Sequence, residues 1–147
     1  MRTKVLMDTG PIVAFLNHND RYHAWVREQL AEIVPPLLTC EAVLSESCFL
    51  LRHIAGGSDA VFELVSRGLL NLSFDLSEEV EAVRKLMGRF SNLPMSLADA
   101  CLVRMSEQFS KSTVLTLDND FLIYRKHGRK VIPLIMPDYL KMTKRKK

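Results

Sequence analysis

Three acidic residues stand directly after two apolar segments, where a folded chain could bring their carboxylates together. Asp8 follows Val5–Met7, and Asp118 and Asp120 follow a second apolar segment that ends at Leu117. Carboxylates within a few ångströms of one another repel, and some of them become protonated unless a cation lies between them. Oxygen-only ligands with room for water suit Mg²⁺ or Mn²⁺. A metal bound in this way can activate a water for phosphodiester hydrolysis.

Two further acids interrupt apolar helical patterns. Glu46 is flanked by Leu44 and Cys48, and Asp99 lies among apolar and small residues in the segment 95–102. A charge in such a setting needs a partner or a functional role, because an isolated buried charge is costly. We therefore count Glu46 and Asp99 as candidate ligands of the same metal.

Each aspartate also has an ordinary structural explanation. Asp8 could cap the helix that follows it. Asp99 lies three residues after Ser96, which is the spacing of a capping box, although such a box prefers Glu or Gln. Asp118 and Asp120 could cap a helix or form an Asx turn. Capping explains the acids one by one, but it gives no reason for their recurrence at strand ends.

Short apolar segments alternate with helical patterns along the whole chain. The predicted strands are 5–7, 37–39, 70–74, 113–117 and a fifth at 131–132 or 131–135. The predicted helices begin near residues 9, 21, 40, 58, 77 and 97, and a short one follows Asp118, with Thr9, Ser77 and Ser96 as candidate caps. Strands separated by helices predict an α/β fold with a parallel sheet and right-handed crossovers. In such a sheet the acids would meet in one crevice at the carboxyl ends of the strands.

The positive charge of the chain is concentrated at its carboxyl end. The net charge is +3, but the last seven residues hold five lysine and arginine residues and no acid. The remaining body has 15 basic and 17 acidic residues, so we expect no broadly basic nucleic-acid-binding surface on it. We predict one domain over residues 1–140 and a basic, disordered tail over 141–147, which could instead contact phosphates.

Composition further indicates the class of protein. A hydrophobic fraction of 48% and a charged fraction of 25% are ordinary for a globular protein. No apolar run reaches the roughly 20 residues that a membrane span needs, and no signal-peptide pattern opens the chain. Three cysteines without a CxxC pair fit reduced, buried thiols. We expect a cytoplasmic protein without a membrane partner.

Taken in order, these motifs resemble the PIN domain family. The motifs that carry the resemblance are Asp8-Thr9, Val43-Leu-Ser-Glu-Ser47, Ser96-Leu-Ala-Asp-Ala100 and Thr116-Leu-Asp-Asn-Asp-Phe121. The resemblance extends from residue 4 to about residue 135. It implies a three-layer α/β/α fold around a central parallel sheet of about five strands. It also implies an endoribonuclease that depends on Mg²⁺ or Mn²⁺, often the VapC-type toxin of a toxin–antitoxin pair and usually a homodimer.

The family's functional residues map onto individual positions of this chain. Asp8, Glu46, Asp99 and Asp118 match its four acids and would be both catalytic and metal-binding. Asp120 matches a frequent accessory metal ligand, while Thr9 and Thr116 match hydroxyl residues that support the site. Glu41 could take the role of Glu46, and Asp120 could be the fourth acid with Asp118 as a cap. We prefer Glu46 because an acid at a helix start, such as Glu41, is commonplace.

Two other functions compete with cleavage of RNA. A non-catalytic PIN-like module could bind RNA or a protein partner, but such a module has no use for carboxylates that repel phosphate. An aspartate-nucleophile phosphatase or phosphoacceptor would use Asp8 as its nucleophile. That role is disfavoured because Asp8-Thr9-Gly10 lacks a second acid two residues on. If the chain is a toxin, an antitoxin would place an arginine in the acidic cleft.

Overall fold

The computed structural model describes residues 3–142, in which helices surround one parallel sheet. The strands are β1 (Lys4–Met7), β2 (Leu37–Thr39), β3 (Leu70–Leu72), β4 (Ser112–Leu115), β5 (Arg125–Lys126), β6 (Lys130–Val131) and β7 (Leu134–Ile135). The helices are α1 (Thr9–Leu16), α2 (His23–Glu32), α3 (Glu41–Leu50), α4 (Gly57–Ser66), α5 (Leu76–Arg89), α6 (Leu97–Gln108) and α7 (Asp138–Met142). A 3₁₀ turn spans Asn119–Leu122.

The main sheet has the strand order β3-β2-β1-β4-β7, and every pair in it is parallel. Residues 4–7 of β1 pair in register with 112–115 of β4. The predicted α/β architecture with a five-stranded parallel sheet is confirmed. Because β1 lies at the centre and β4 beside it, their carboxyl ends place Asp8 and the residues after Leu115 next to each other.

The core lies on both faces of the two central strands. Leu6, Met7, Val114 and Leu115 are fully buried, as expected for strands of a parallel sheet covered by helices on both sides. Helix α6 supplies a nearly continuous buried run, from Ala98 to Val103. Asp99 is the charged residue in that run, so packing of α6 against the sheet fixes its position.

Two predicted helix caps are wrong. The first helix is capped by Asp8, whose carboxylate accepts a hydrogen bond from the Thr9 amide, so Thr9 is the first helical residue. The fifth helix is capped by Asp75 rather than by Ser77. An aspartate with extended backbone geometry stands just before each predicted helix start, and a carboxylate is a good acceptor for the free amides of the first turn. The predicted Ser96 cap is confirmed, since its hydroxyl accepts from the Asp99 amide.

The fifth strand of the sheet is displaced from its predicted start. Val131 belongs to β6, which pairs with β5 in a separate antiparallel hairpin, and the strand that joins the sheet is β7. The apolar run from 131 to 135 contains Pro133, which cannot donate to a ladder and separates the two strands.

Helix α7 extends the ordered chain slightly past the predicted domain boundary. It ends at Met142, so its last two residues fall within the segment predicted as a disordered tail. The rest of that tail, 143–147, lies outside the described residues. Among the helices of residues 3–142, none combines the length and apolar character that a membrane crossing requires.

Candidate active site

Asp8 is held from two sides at the carboxyl end of β1. Its Oδ1 accepts from the Thr9 amide at 2.7 Å, and its Oδ2 accepts from the Thr116 hydroxyl, also at 2.7 Å. Asp8 is 5% exposed and Thr116 is fully buried. Each carboxylate oxygen has two lone pairs, so both oxygens keep acceptor capacity while the side chain is fixed. Asp8 can therefore cap helix α1 and still be a metal ligand.

Thr116 connects Asp8 to the loop that carries Asp118. Its hydroxyl donates to Asp8 and accepts from the Asp118 amide at 2.9 Å. Gly10 allows this loop to come close, because a Cβ there would lie 3.2 Å from Cβ of Leu117. The start of α1 and the end of β4 are thereby fixed against each other.

Asp118 caps a helical turn and also lies close to other candidate metal ligands. Its Oδ1 accepts from the Asp120 amide at 2.9 Å, which caps the 3₁₀ turn. Its charge also raises the pKa values of Asp8, Asp99 and Tyr124. Asp120 is buried two residues further along the chain. Asp118 therefore lies close enough to Asp8 and Asp99 for its charge to act on both, and the choice between Asp118 and Asp120 as the fourth acid stays a prediction.

Asp99 lies in the first turn of α6 and is 8% exposed. The Tyr124 hydroxyl donates to its Oδ2 at 2.9 Å. Tyr124 is itself fully buried, with its ring edge-on to the rings of Phe90 and Phe121. This tyrosine was not predicted from the sequence. The only available signal was that a buried tyrosine needs a partner for its hydroxyl, which does not say which partner.

Burial and neighbouring carboxylates disfavour the ionisation of Asp8 and Asp99. Burial raises the pKa of Asp8 to about 7, with further upward contributions from the charges of Asp99 and Asp118, against the hydrogen bonds from Thr116 and Thr9. Burial and the charge of Asp118 also raise the pKa of Asp99, against the bond from Tyr124. Burial and nearby Asp99 raise the pKa of Tyr124, which therefore remains a hydrogen-bond donor at neutral pH. The cluster would be relieved by a bound cation.

Glu46 does not have the environment that the sequence suggested. It lies on an exposed part of α3, so the premise that it is a charge buried among apolar residues is wrong. The reason is helical geometry: Val43, Leu44 and Ser47 lie on one side of the helix and face the core, and Glu46 falls outside that side. Glu41 is exposed as well, so the choice between them stays a prediction.

A sequence model of the PIN domain family matches residues 5–126. The match covers most of the chain and includes every candidate acid. The chain belongs to the PIN domain family.

Two PIN-related proteins from Mycobacterium tuberculosis resemble the chain. Ribonuclease VapC26 is 23% identical over 116 residues, which span 78% of this chain and 86% of VapC26. The crystal structure of VapC20, described as a sarcin-ricin-loop-cleaving toxin, superposes with a TM-score of 0.72 at 18% identity. That superposition covers 80% of this chain and 92% of VapC20. The likeness shows that the two chains share the PIN fold.

The donor set of this PIN domain fits a hydrated magnesium or manganese ion. Its candidate ligands are all oxygens, and the buried hydroxyl of Thr9, beside Asp8, has no hydrogen-bond partner within residues 3–142. In that same range, no three His, Cys, Asp or Glu side chains are grouped closely enough to form a complete metal site. Mg²⁺ commonly binds through one or two carboxylates and keeps several waters, so it does not require such a closed group.

Proposed function

We propose that this PIN domain is an endoribonuclease that hydrolyses RNA phosphodiesters with the help of Mg²⁺ or Mn²⁺. The observation that carries the proposal is the cluster of Asp8, Asp99 and Asp118 at the carboxyl end of the sheet, where burial and mutual repulsion raise the pKa of Asp8 to about 7. Acids kept in so unfavourable an arrangement are typical of a functional site. The names of the relatives, a ribonuclease and an RNA-cleaving toxin, support the same reaction.

Asp8, Asp99 and Asp118 would hold the metal, with Glu46 and Asp120 as further candidates. The bound metal lowers the pKa of a water and stabilises negative charge on the phosphate. Through its hydrogen bond Thr116 orients Asp8 and favours its ionised form, and Tyr124 does the same for Asp99. Such partners of metal ligands commonly change metal affinity or activity 10–100-fold when they are removed.

We further propose that the protein is the toxin of a toxin–antitoxin pair and acts as a homodimer in the cytoplasm. The toxin description of VapC20 supports the first part. An antitoxin would neutralise the acidic cleft, and an arginine is the side chain best suited to pair with its carboxylates. Toxicity on expression, relieved by co-expression of a small neighbouring reading frame, would support this pairing.

The central test compares Asp99→Asn with Asp59→Asn. Both variants replace a carboxylate by an amide, but Asp59 is an exposed residue in the first turn of α4. The amide introduced by Asp99→Asn retains an oxygen that can accept the Tyr124 hydroxyl, so the fold should survive. Cleavage of a labelled single-stranded RNA by Mn²⁺-loaded protein should be lost in Asp99→Asn and kept in Asp59→Asn.

Chelation gives a second, independent measurement. Excess EDTA should stop cleavage by the wild-type protein, and added Mn²⁺ should restore it. Undiminished cleavage in EDTA, or full activity of purified Asp99→Asn, would contradict the proposal. If folded wild-type protein cleaves no RNA at any Mn²⁺ concentration, the non-catalytic binding module becomes the better account.

A further inference from the structure

Directly after Tyr124, the chain forms a basic hairpin. Strands β5 and β6 pair antiparallel, with Lys126 opposite Lys130, and the turn between them uses His127 and Gly128 with positive φ angles of 50° and 84°. The six residues 125–130 comprise four lysine and arginine residues, one histidine, one glycine and no acid. The family match ends at residue 126, so the turn and β6 lie beyond it. The near-neutral average charge of the body concealed this local concentration.

Two of the four cations fix the hairpin in place. Lys126 is buried, and its Nζ donates to the Ser106 carbonyl at 3.2 Å. The Arg125 guanidinium donates to carbonyls of the preceding turn, those of Leu122, Ile123 and Tyr124. The Lys126 contact docks the hairpin on α6, and the Arg125 contacts hold its first strand against the preceding turn.

The other two cations, Arg129 and Lys130, are exposed, and a third joins them from α5. Arg89 donates a hydrogen bond from its guanidinium to the Gly128 carbonyl at the turn. Within residues 3–142, none of the ion pairs involves Arg89, Arg129 or Lys130. We call these three residues the basic hairpin surface.

Two acids of α5 and α6 already pair with a cation, Arg104. Glu107 accepts from the Arg104 guanidinium at 3.1 Å and from the His127 amide at 2.8 Å. Glu79 also pairs with Arg104, at 2.6 Å. Arg104 is shared by both carboxylates, so these three residues keep a net charge of −1. The three cations of the basic hairpin surface outweigh it and leave a net charge of +2 for an anion from outside.

The hairpin is docked near the end of α6, whereas Asp99 lies at the start of that helix. Tyr124 bonds to Asp99 in the first turn of α6, and the hairpin then follows α6 to Ser106 and Glu107 near its end. Eight residues separate Asp99 from Glu107, which corresponds to about 12 Å along the helix axis. The docked end of the hairpin therefore lies away from a phosphate held at the acids, and the surface would meet a phosphate farther along the same strand.

We propose that Arg89, Arg129 and Lys130 bind the backbone phosphates of single-stranded RNA beside the cleavage position. The inference rests on the proposed ribonuclease function, because an RNA strand is the polyanion that would extend from the acids to the hairpin. Contacts with backbone phosphates do not read the bases, so this binding would add affinity for RNA without sequence preference.

The first experiment measures RNA binding separately from cleavage. Arg129→Gln combined with Lys130→Gln is made in the Asp99→Asn background and compared with Arg27→Gln combined with Arg67→Gln. The control pair is also exposed, but Arg27 lies on α2 and Arg67 directly follows α4, two helices that pack on α1 or α3. Affinity for a fluorescent single-stranded RNA is measured over a range of salt concentrations. The hairpin variant should lower the slope of log K against log salt by about 1.4, since each phosphate contact on a single strand contributes about 0.7.

The second experiment measures cleavage in protein that retains Asp99. The hairpin variant should raise KM for a long single-stranded RNA, and its loss of kcat/KM should be larger for that RNA than for a dinucleotide. An unchanged salt slope, an equal loss in the control pair, or hairpin-dependent binding to anionic phospholipid vesicles in place of RNA would overturn the inference.

The two proposals can fail separately. If the protein cleaves RNA but the hairpin variant has an unchanged salt slope, the ribonuclease function is supported and the RNA-binding role of the hairpin is rejected. If the protein cleaves no RNA, but the substitutions at Arg129 and Lys130 still lower the salt slope of RNA binding, the binding surface is supported and the catalytic function is rejected.

Discussion

The Tyr124 hydroxyl and Oδ2 of Asp99 form a buried 2.9 Å hydrogen bond between residues 25 positions apart. This bond lowers the pKa of a carboxyl group that burial and Asp118 raise. It also ties the first turn of α6 to the segment that leads into the basic hairpin. The acid cluster and the hairpin therefore share one anchoring residue.

Replacing Tyr124 by Phe should weaken the site while keeping the fold. The ring would still pack against Phe90 and Phe121, but Asp99 would lose the donor that favours its ionised form. We expect a 10–100-fold loss of activity or metal affinity. The acid side of the pH–rate profile should move to higher pH, which a purely structural role would not produce. An unshifted pH–rate profile would show that the hydrogen bond does not lower the pKa of Asp99.

Removing the Thr116 hydroxyl should affect two acids together. Thr116→Val deprives Asp8 of a donor and the Asp118 amide of its acceptor. We expect a 10–100-fold loss of activity and a destabilisation of about 1–3 kcal/mol in urea unfolding. Thr116→Ser keeps the hydroxyl and is the matched control. A loss in Thr116→Ser as large as that in Thr116→Val would show that the hydroxyl alone does not account for the effect.

The metal-free protein should lose stability as pH rises from about 4 to about 7. The folded state raises the pKa of Asp8 from 3.8 to about 7, so over this range it binds more protons than the unfolded state does. Ionising Asp8 in the folded state therefore costs up to about 4 kcal/mol, and the cost is complete above pH 7. Urea unfolding in EDTA at pH 5 and pH 8 measures it.

Two comparisons check the assignment to Asp8. Asp8→Asn should reduce the pH dependence, because the group that titrates has been removed. Added Mn²⁺ should increase stability at pH 8 more than at pH 5, since the cation binds the ionised acids. A wild-type stability that is flat from pH 4 to 8 would contradict the raised pKa.

The role of Glu46 can be separated from that of Glu41 by parallel substitutions. Both residues are exposed on α3, so Glu46→Gln and Glu41→Gln should each leave the thermal midpoint within a few degrees. If Glu46 is the fourth acid, only Glu46→Gln lowers cleavage strongly, and extra Mn²⁺ recovers part of it. A loss confined to Glu41→Gln would reverse the assignment.

The sequence alone determined the fold class and named the acids of the candidate site. Buried parallel strands are short apolar runs, and these can be located because no polar residue interrupts them. Asp8 and Asp118 directly follow such runs, so the topology of any parallel sheet would bring them to its carboxyl edge. The position of Asp99 followed from its place in the first turn of a buried helix.

Only the tertiary structure decided which side chains touch. The hydrogen bonds from Thr116 to Asp8 and from Tyr124 to Asp99 join residues 108 and 25 positions apart, and local patterns do not encode such pairs. The structure also showed that Glu46 is exposed, because helix rotation rather than neighbouring residue types sets burial. The basic hairpin was hidden for a related reason: net charge is a sum over the whole chain, whereas a phosphate responds to charges within about a Debye length.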